Sequence, residues 1–471
     1  MKKNDKTLII LGILIFCMVI TWFVAGGSYG DSGVFTLSNI TRAGIFDFFL
    51  IIFYSIYYNI TTIFYFILIG GSYGVLSKTK SYRKLVDKTV YMIRGREKLF
   101  FLLTTLLTGI FVSLSSNALV VFAFVPFIIT VFLNCGQDRI TALSAAIGGI
   151  LIGIMGNTFG TYGVSNMMEN LNLAYTKGIG YKIALFIIAY VLYNLFAMLH
   201  MNKKHKELNE TEYNPFNTEE LDEKEVKRSR KIKLWPTILF GVLLIIVLIL
   251  GYIDWDKSFG LEIFKKIEEG FEGITIKGIP ILYNLAGSTS AFGEWNDLIG
   301  AGSILTITTF IIALFNKTKL NDFIDNFNEG IKKILKTVII ISLSYTVFVV
   351  LMWYGWPYTL VNAIIGNGKF NVFTLLLAGI IIAFFAVDKD YIGYTLGSYL
   401  ATVFGDNLLA TAIIMNSASA IIIAIAPTSM ILLAGLTLLD IPYKKWFGYI
   451  WKYTLAITIA VIVIMEIMCY M

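Results

Sequence analysis

The chain has 471 residues, 57% hydrophobic and only 15% charged, with a mean hydropathy of +0.75, a balance that excludes an ordinary soluble globular domain. Its net charge of +7 is spread through the loops between apolar blocks, so it reads as membrane topology and no nucleic-acid partner is expected. The apolar blocks have helical length rather than the alternating ten-residue pattern of barrel strands. The expected fold is an all-α polytopic membrane protein with about nine full spans and two re-entrant hairpins.

Lys2, Lys3 and Lys6 precede an 18-residue apolar run, Leu8 to Ala25, read as a retained first span leaving the cytoplasm rather than a signal peptide. Gly26 to Gly44 carries a single basic residue, Arg42, and is assigned outside. The span Asp47 to Val75 returns and ends on Gly70-Gly71-Ser72-Tyr73-Gly74. Eight basic residues follow between Lys78 and Lys98, interleaved with Leu85, Val90, Tyr91 and Ile93. That pattern predicts a short cytoplasmic interfacial helix resting on anionic lipid.

Ser113-Leu114-Ser115-Ser116-Asn117 then separates two short apolar runs, Leu99 to Val112 with 14 residues and Ala118 to Leu133 with 16. Helices of those lengths reach roughly 21–24 Å, against about 30 Å of hydrocarbon. The spacing predicts a re-entrant hairpin over 99–133. Its polar tip must be buried in protein or line a wet cavity. The next span starts at Ile140 and meets Gly153, Gly156, Gly160 and Gly163 within eleven residues that also hold Asn157 and Thr158. Such a stretch either unwinds to expose carbonyls or packs closely against a neighbouring helix. Lys182 to Leu199 returns inward, His200 and His205 read as interfacial solvated residues, and 201–233 is a charged cytoplasmic linker.

The second half opens with a span from Trp235 to Tyr252 and an external segment reaching Asp297. Leu298 to Phe315 runs inward, Thr337 to Met352 outward, and Trp353 to Lys369 is external, with Trp353 and Trp356 at the interface. Phe370 to Val387 and Tyr391 to Phe404 enclose Asp388-Lys389-Asp390, a second hairpin over 370–404 entered from outside, although a solvated loop between full spans has the same pattern. A long run from Leu408 contains Asn416, Ser417 and Ser419, and Pro427-Thr428-Ser429 should break it because proline removes a backbone donor. Trp446 to Met468 leaves the cytoplasm again. Cys17, Cys135 and Cys469 lack any ligand spacing and read as packing residues.

Of the 38 Lys and Arg residues, 28 fall in segments assigned to the cytoplasm and seven in segments assigned outside, the bias expected of cytoplasmic loops. A multi-pass cell-membrane protein with a cytoplasmic N-terminus and an external C-terminus follows. Residues 1–200 form a first repeat, 201–233 the linker, 234–296 an extra span with its external segment, and 297–471 a second repeat inverted by that extra span. Inverted repeats with discontinuous helices are the architecture of secondary transporters.

Three stretches carry a family likeness: Gly70-Gly71-Ser72-Tyr73-Gly74-Val75-Leu76, the loop Arg94-Gly95-Arg96-Glu97, and Ala426-Pro427-Thr428-Ser429 followed by Ile441-Pro442-Tyr443-Lys444-Lys445-Trp446. On these the chain resembles the anaerobic C4-dicarboxylate carrier family, and within it the YfcC-like permeases of the ion-transporter superfamily. The resemblance implies a permease for dicarboxylates or basic amino acids and, by analogy with the superfamily, a homodimer. Where many such members have an acidic pair at the first tip and an acid in the last broken helix, this chain has Ser115-Ser116 and Ser419.

Charges inside membrane segments mark function, which singles out Asp388, Lys389 and Asp390 at the second tip, with Asp406 and Glu169 nearer the span ends. Ser115, Ser116, Asn117, Asn157 and Thr158 in the first half, and Asn416, Ser417, Ser419, Thr428 and Ser429 in the second, supply oxygens and amides for a substrate or a hard cation. Each is also an ordinary packing residue in a helix bundle. The coupling ion is expected to be Na⁺, held by Ser116, Asn117, Asp390 and Thr428, or H⁺, with no other cofactor. The function expected is ion-coupled, alternating-access transport of a small carboxylate-bearing metabolite, an amino acid or a C4-dicarboxylate. A channel is the alternative, but it would need a continuous polar stripe. An enzyme is not expected, since no His-rich cluster, HExxH motif or nucleophile–base pair occurs.

Overall fold

The computed structural model describes residues 5–30, 33–160, 164–204, 214–216, 233–276, 278–281, 284, 291–366, 368–386 and 389–470. Among them helix dominates, in agreement with the expected fold class. Seven segments are long and apolar enough to cross a membrane: Ile60–Lys78, Glu97–Leu114, Ile179–Met201, Trp235–Tyr252, Leu320–Tyr354, Gly405–Leu438 and Tyr443–Cys469. Strand is confined to two small antiparallel ribbons, β1 (Gly27–Tyr29) with β2 (Phe35–Leu37), and β3 (Thr275–Ile276) with β4 (Ile279–Pro280). Outward faces stay apolar, as lipid requires; Phe46, Phe49, Phe53 and Tyr57 on one helix are more than half exposed.

In the first half, α1 (Asp5–Ile20), α2 (Ile45–Tyr58), α3 (Ile60–Lys78), α4 (Lys80–Ile93), α5 (Glu97–Leu114), α6 (Val125–Asn134), α7 (Arg139–Met155), α8 (Val164–Asn170) and α9 (Ile179–Lys204) follow in order. The segment between the halves contributes α10 (Trp235–Tyr252), α11 (Trp255–Phe259) and α12 (Ile263–Gly273). The second half has α13 (Ile299–Phe315), α14 (Leu320–Ser344), α15 (Thr346–Tyr354), α16 (Trp356–Ile365), α17 (Val372–Phe385), α18 (Lys389–Val403), α19 (Leu408–Ile425), α20 (Met430–Leu438) and α21 (Tyr443–Tyr470). The order of elements thus recurs: a helix, a broken pair, a short helix, a hairpin, a second broken pair and a long closing helix.

Several boundaries depart from the sequence reading. The span read as Asp47 to Val75 breaks at Asn59, and Gly70 to Gly74 continues as helix to Lys78. The reason is contact: α3 lies directly against α14. A Cβ on Gly330 would stand 2.1 Å from the carbonyl oxygen of Gly70, and one on Gly74 would stand 2.6 Å from the Gly330 Cα. Glycine at these positions lets two backbones touch, so the motif is a packing surface rather than a terminus. The span placed at Thr337 begins instead at Leu320, because its amphipathic lead-in is continuous with the apolar part. Trp356, assigned to the interface, is 3% exposed and packs edge-on against Phe385. His200, read as solvated, contacts Asp138 through Nε2 at 3.3 Å and packs edge-on against Tyr449.

The first arm of the hairpin at 99–133 is longer than its apolar run implied. It takes in Glu97 and Lys98 and carries on to Leu114, 18 residues in all, or about 27 Å. Past the tip the return arm starts as a 3₁₀ turn over Ala118–Ala123 before α6. Of the linker, most lies outside the described residues; Asn214 donates to Thr130 and buried Phe216 packs at a tilt against Tyr73. Replacing Gly330 by leucine should separate α3 from α14 at a cost of at least the 1–3 kcal/mol typical of overpacking. The expected outcome is a lowered melting temperature of the detergent-solubilised protein, with Gly12→Ala inside α1 as a control that does not lower it, since a Cβ there meets nothing within 4 Å and alanine favours the helix.

Candidate functional site

Each half contains a helix that stops inside the bundle, and in each half the break bonds to the neighbouring hairpin. In the first half α7 ends at Met155 and the chain runs irregularly through Gly156 to Gly160. The Ser113 carbonyl, at the hairpin tip, accepts the backbone N–H groups of Thr158 (3.1 Å), Phe159 (3.3 Å) and Gly160 (3.1 Å). The Ser113 hydroxyl donates to the Gly156 carbonyl at 2.6 Å and lies 2.9 Å from the Thr158 hydroxyl. In the second half α19 ends at Ile425, and Thr428 in the break donates to the Phe384 carbonyl at 2.9 Å, beside the second tip. Tip and break are 45 residues apart in the first half and 44 in the second. The two interrupted helices are themselves linked, because the Asn416 amide, midway along α19, donates at 2.9 Å to the Ile154 carbonyl in the last turn of α7.

The predicted site residues divide into three groups. Ser115, Ser116 and Asn117 dock on the extra segment. Ser115 pairs with Ile253 as an isolated bridge, and the Ser116 N–H donates to Tyr252 at 2.8 Å. The Ser116 hydroxyl donates to the Trp295 carbonyl, and the Asn117 amide to Asn296 at 3.1 Å while its oxygen caps the 3₁₀ turn at Leu119. Thr158 and Thr428 join tip to break, and Asn157 is buried beside Gly160. Ser419 bonds back to Met415 in its own helix and Ser429 caps α20 at Leu432, so both hydroxyls are spent on local structure. Asn416 Oδ1 and the Ser417 hydroxyl are buried without a hydrogen-bond partner among the described residues, a condition that costs about 1–3 kcal/mol each unless something fills it. Asp388 lies outside the described residues, and Lys389 opens α18.

Ser116, Asn117 and Asp390 line one cavity of about 530 Å³. They come from opposite halves of the sequence and share this space. Asp390 reaches this wall because α18 lies against α8 through glycine: a Cβ at Gly393 would stand 2.3 Å from the Asn166 side-chain oxygen. Thr428 does not line the cavity, but Met430, the first residue after its break, does. Asn59, between α2 and α3, and Tyr345, between α14 and α15, also line it. Neither was among the candidates. The clue in the sequence would have been Asn59 standing inside an apolar run of spanning length. Every one of these positions is a helix discontinuity, so the cavity forms where helices stop.

The cavity wall is acidic. Glu169, Asp254, Asp256, Glu294, Asp297 and Asp390 face it, against Lys257 and Lys265. Both lysines are already engaged, Lys257 with Glu169 at 3.9 Å and Lys265 with Asp256 and Glu294. Asp256 holds Lys265 above the usual lysine range by a hydrogen bond and by charge. Lys182 was named only as the start of a span. It is 2% exposed and reaches the first break, a position its place outside both basic loops and acidic segments would have flagged.

The sequence model of the C4-dicarboxylate anaerobic carrier family matches residues 4–470. The chain belongs to that family. It is therefore a membrane transporter, and the carrier's glycine motif, first tip and second break all fall within the matched range. No curated protein matches its sequence significantly. Among solved structures it is similar to the Alcanivorax borkumensis YdaH transporter, with 12% identity, a TM-score of 0.40, and coverage of 98% of this chain and 97% of the other. A second is the Neisseria gonorrhoeae antimetabolite efflux pump MtrF, with 14% identity, a TM-score of 0.35, and coverage of 98% and 94%.

A Cβ on Gly160 would stand 2.4 Å from the Ser115 carbonyl oxygen, so Gly160→Ala must displace the break from the tip. In the carrier this variant should melt lower than wild type, and Ser113→Ala should lower it further by about 1 kcal/mol for each side-chain hydrogen bond lost. Thermal unfolding in detergent reads both.

Proposed function

We propose that the cavity between the first tip and Asp390 is the substrate site of an ion-coupled, alternating-access carrier for a small carboxylate-bearing metabolite. The observation that carries this reading is the convergence of Ser116, Asn117 and Asp390 on a single space of about 530 Å³, within the range of small-molecule sites. The Lys and Arg bias supports an external position for the face bearing residues 254–297, and with it an outward-facing arrangement and a cytoplasmic N-terminus.

Between the two substrate classes, the wall favours one that brings its own positive charge. A dicarboxylate without an ammonium group meets an excess of carboxylates and two lysines already paired. An amino acid can place its ammonium near Asp390 and its carboxylate on the amides of the Asn117 and Asn59 side chains. The family's description speaks for the C4-dicarboxylate, and in that case a bound Na⁺ at Ser116, Asn117 and Asp390 would have to offset the acidic wall.

A thermal-shift screen of amino acids and C4-dicarboxylates with the purified protein tests the choice, since a ligand that binds the folded state raises its melting temperature. Amino acids should stabilise and bare dicarboxylates should not. In proteoliposomes, uptake of the stabilising ligand should saturate, and Asp390→Asn and Asn117→Ala should each lower it about tenfold or more, about 1.4 kcal/mol of binding, with normal insertion. Unchanged uptake in both variants, or uptake that never saturates, would overturn the site or favour a channel.

A further inference from the structure

Lys182 stands in the first turn of α9 and is 2% exposed. Its ammonium donates to the Tyr175 carbonyl at 2.8 Å and to the Thr158 carbonyl, in the first break, at 3.2 Å. No carboxylate lies within ion-pair distance of it among the described residues. A buried ammonium without an acid is costly unless something else stabilises its charge. Here the stabilising groups are the Thr158 carbonyl, three residues past the C-terminal end of α7 where the helix dipole is negative, and the Tyr175 carbonyl in the turn that leads into α9.

The second half satisfies its own break by other means. From the first turn of α21, the Trp446 indole donates to the Ala424 carbonyl at 3.0 Å and the Tyr443 hydroxyl donates to Ile425. Lys182 reaches back 24 residues to its break and Trp446 reaches back 22. The same position in the closing helix therefore carries a neutral donor in one half and a cation in the other. Carbonyls freed where a membrane helix unwinds, at the end of a half-helix, are the ligands that carriers offer to a coupling cation.

We infer that the Lys182 ammonium is a tethered cation, holding the carbonyl site of the first break in place of an exchangeable Na⁺. Because it is covalently attached, it cannot leave with the substrate. Any ion that is transported must bind elsewhere. Lys182 acts here as a positioning residue, fixing the break against the tip through Thr158.

The test uses the purified full-length protein and salt alone, so it can fail while the proposed transport stands, and the reverse. Melting temperatures are compared in NaCl, methylammonium chloride and choline chloride at equal concentration. Lys182→Gly should gain a stabilisation by Na⁺ and by methylammonium over choline that exceeds the wild-type difference by at least about 2 °C and saturates with concentration. Lys182→Arg should behave as wild type. Lys182→Gln keeps N–H donors but no charge, and should melt lower than wild type in choline chloride. An absence of any added cation response in the glycine variant, or a glutamine variant as stable as wild type, overturns the inference. If the glycine variant cannot be purified, the glutamine variant decides, and its loss beside an intact arginine variant counts for the charge.

Discussion

A helix that stops inside a membrane leaves carbonyl and amide groups that lipid cannot satisfy, and the arrangement of this bundle follows from where those groups find partners. At the first break the amides converge on the Ser113 carbonyl and a carbonyl is held by Lys182. At the second, Thr428 bonds to the neighbouring hairpin, and Trp446 and Tyr443 cover the last carbonyls of α19. Each hairpin is thus the hydrogen-bonding complement of a particular interruption.

The close approach of α3 and α14 is the second constraint. Gly70, Gly74 and Gly330 bring two backbones into contact across the sequence, and in a bilayer such contact replaces the hydrophobic driving force available in water. It also fixes Asn59 and Tyr345, at the ends of these helices, on the cavity wall. Packing far from the cavity therefore determines which polar groups face it.

Much of this was legible in the sequence because polar residues and proline are rare in apolar runs. The tip at Ser113 to Asn117, the glycine-rich stop after Met155 and the stop at Pro427 were each visible as interruptions of a hydrophobic pattern. What the pattern did not carry was partnership. Ser116 and Asn117 bond to Trp295 and Asn296, residues almost 180 positions away whose carbonyls have no sequence signature. Ser419 and Ser429 looked like Ser116 in composition, yet their hydroxyls turn back on their own helices. The break at Asn59 was hidden for the opposite reason: the flanking residues are mostly apolar, so a run of spanning length concealed two helices. Trp356 was misplaced because an aromatic near a loop reads as interfacial, whereas here a helix folds back and buries it against Phe385.

Three successive amides share one acceptor at Ser113, and that sharing has a mechanical meaning. The unwound stretch cannot rewind into a continuous rod while the loop that feeds it an oxygen stays in place. Any rearrangement of the first half must therefore carry the hairpin and the interrupted helix together as one piston-like unit, with slippage confined to the surfaces around it.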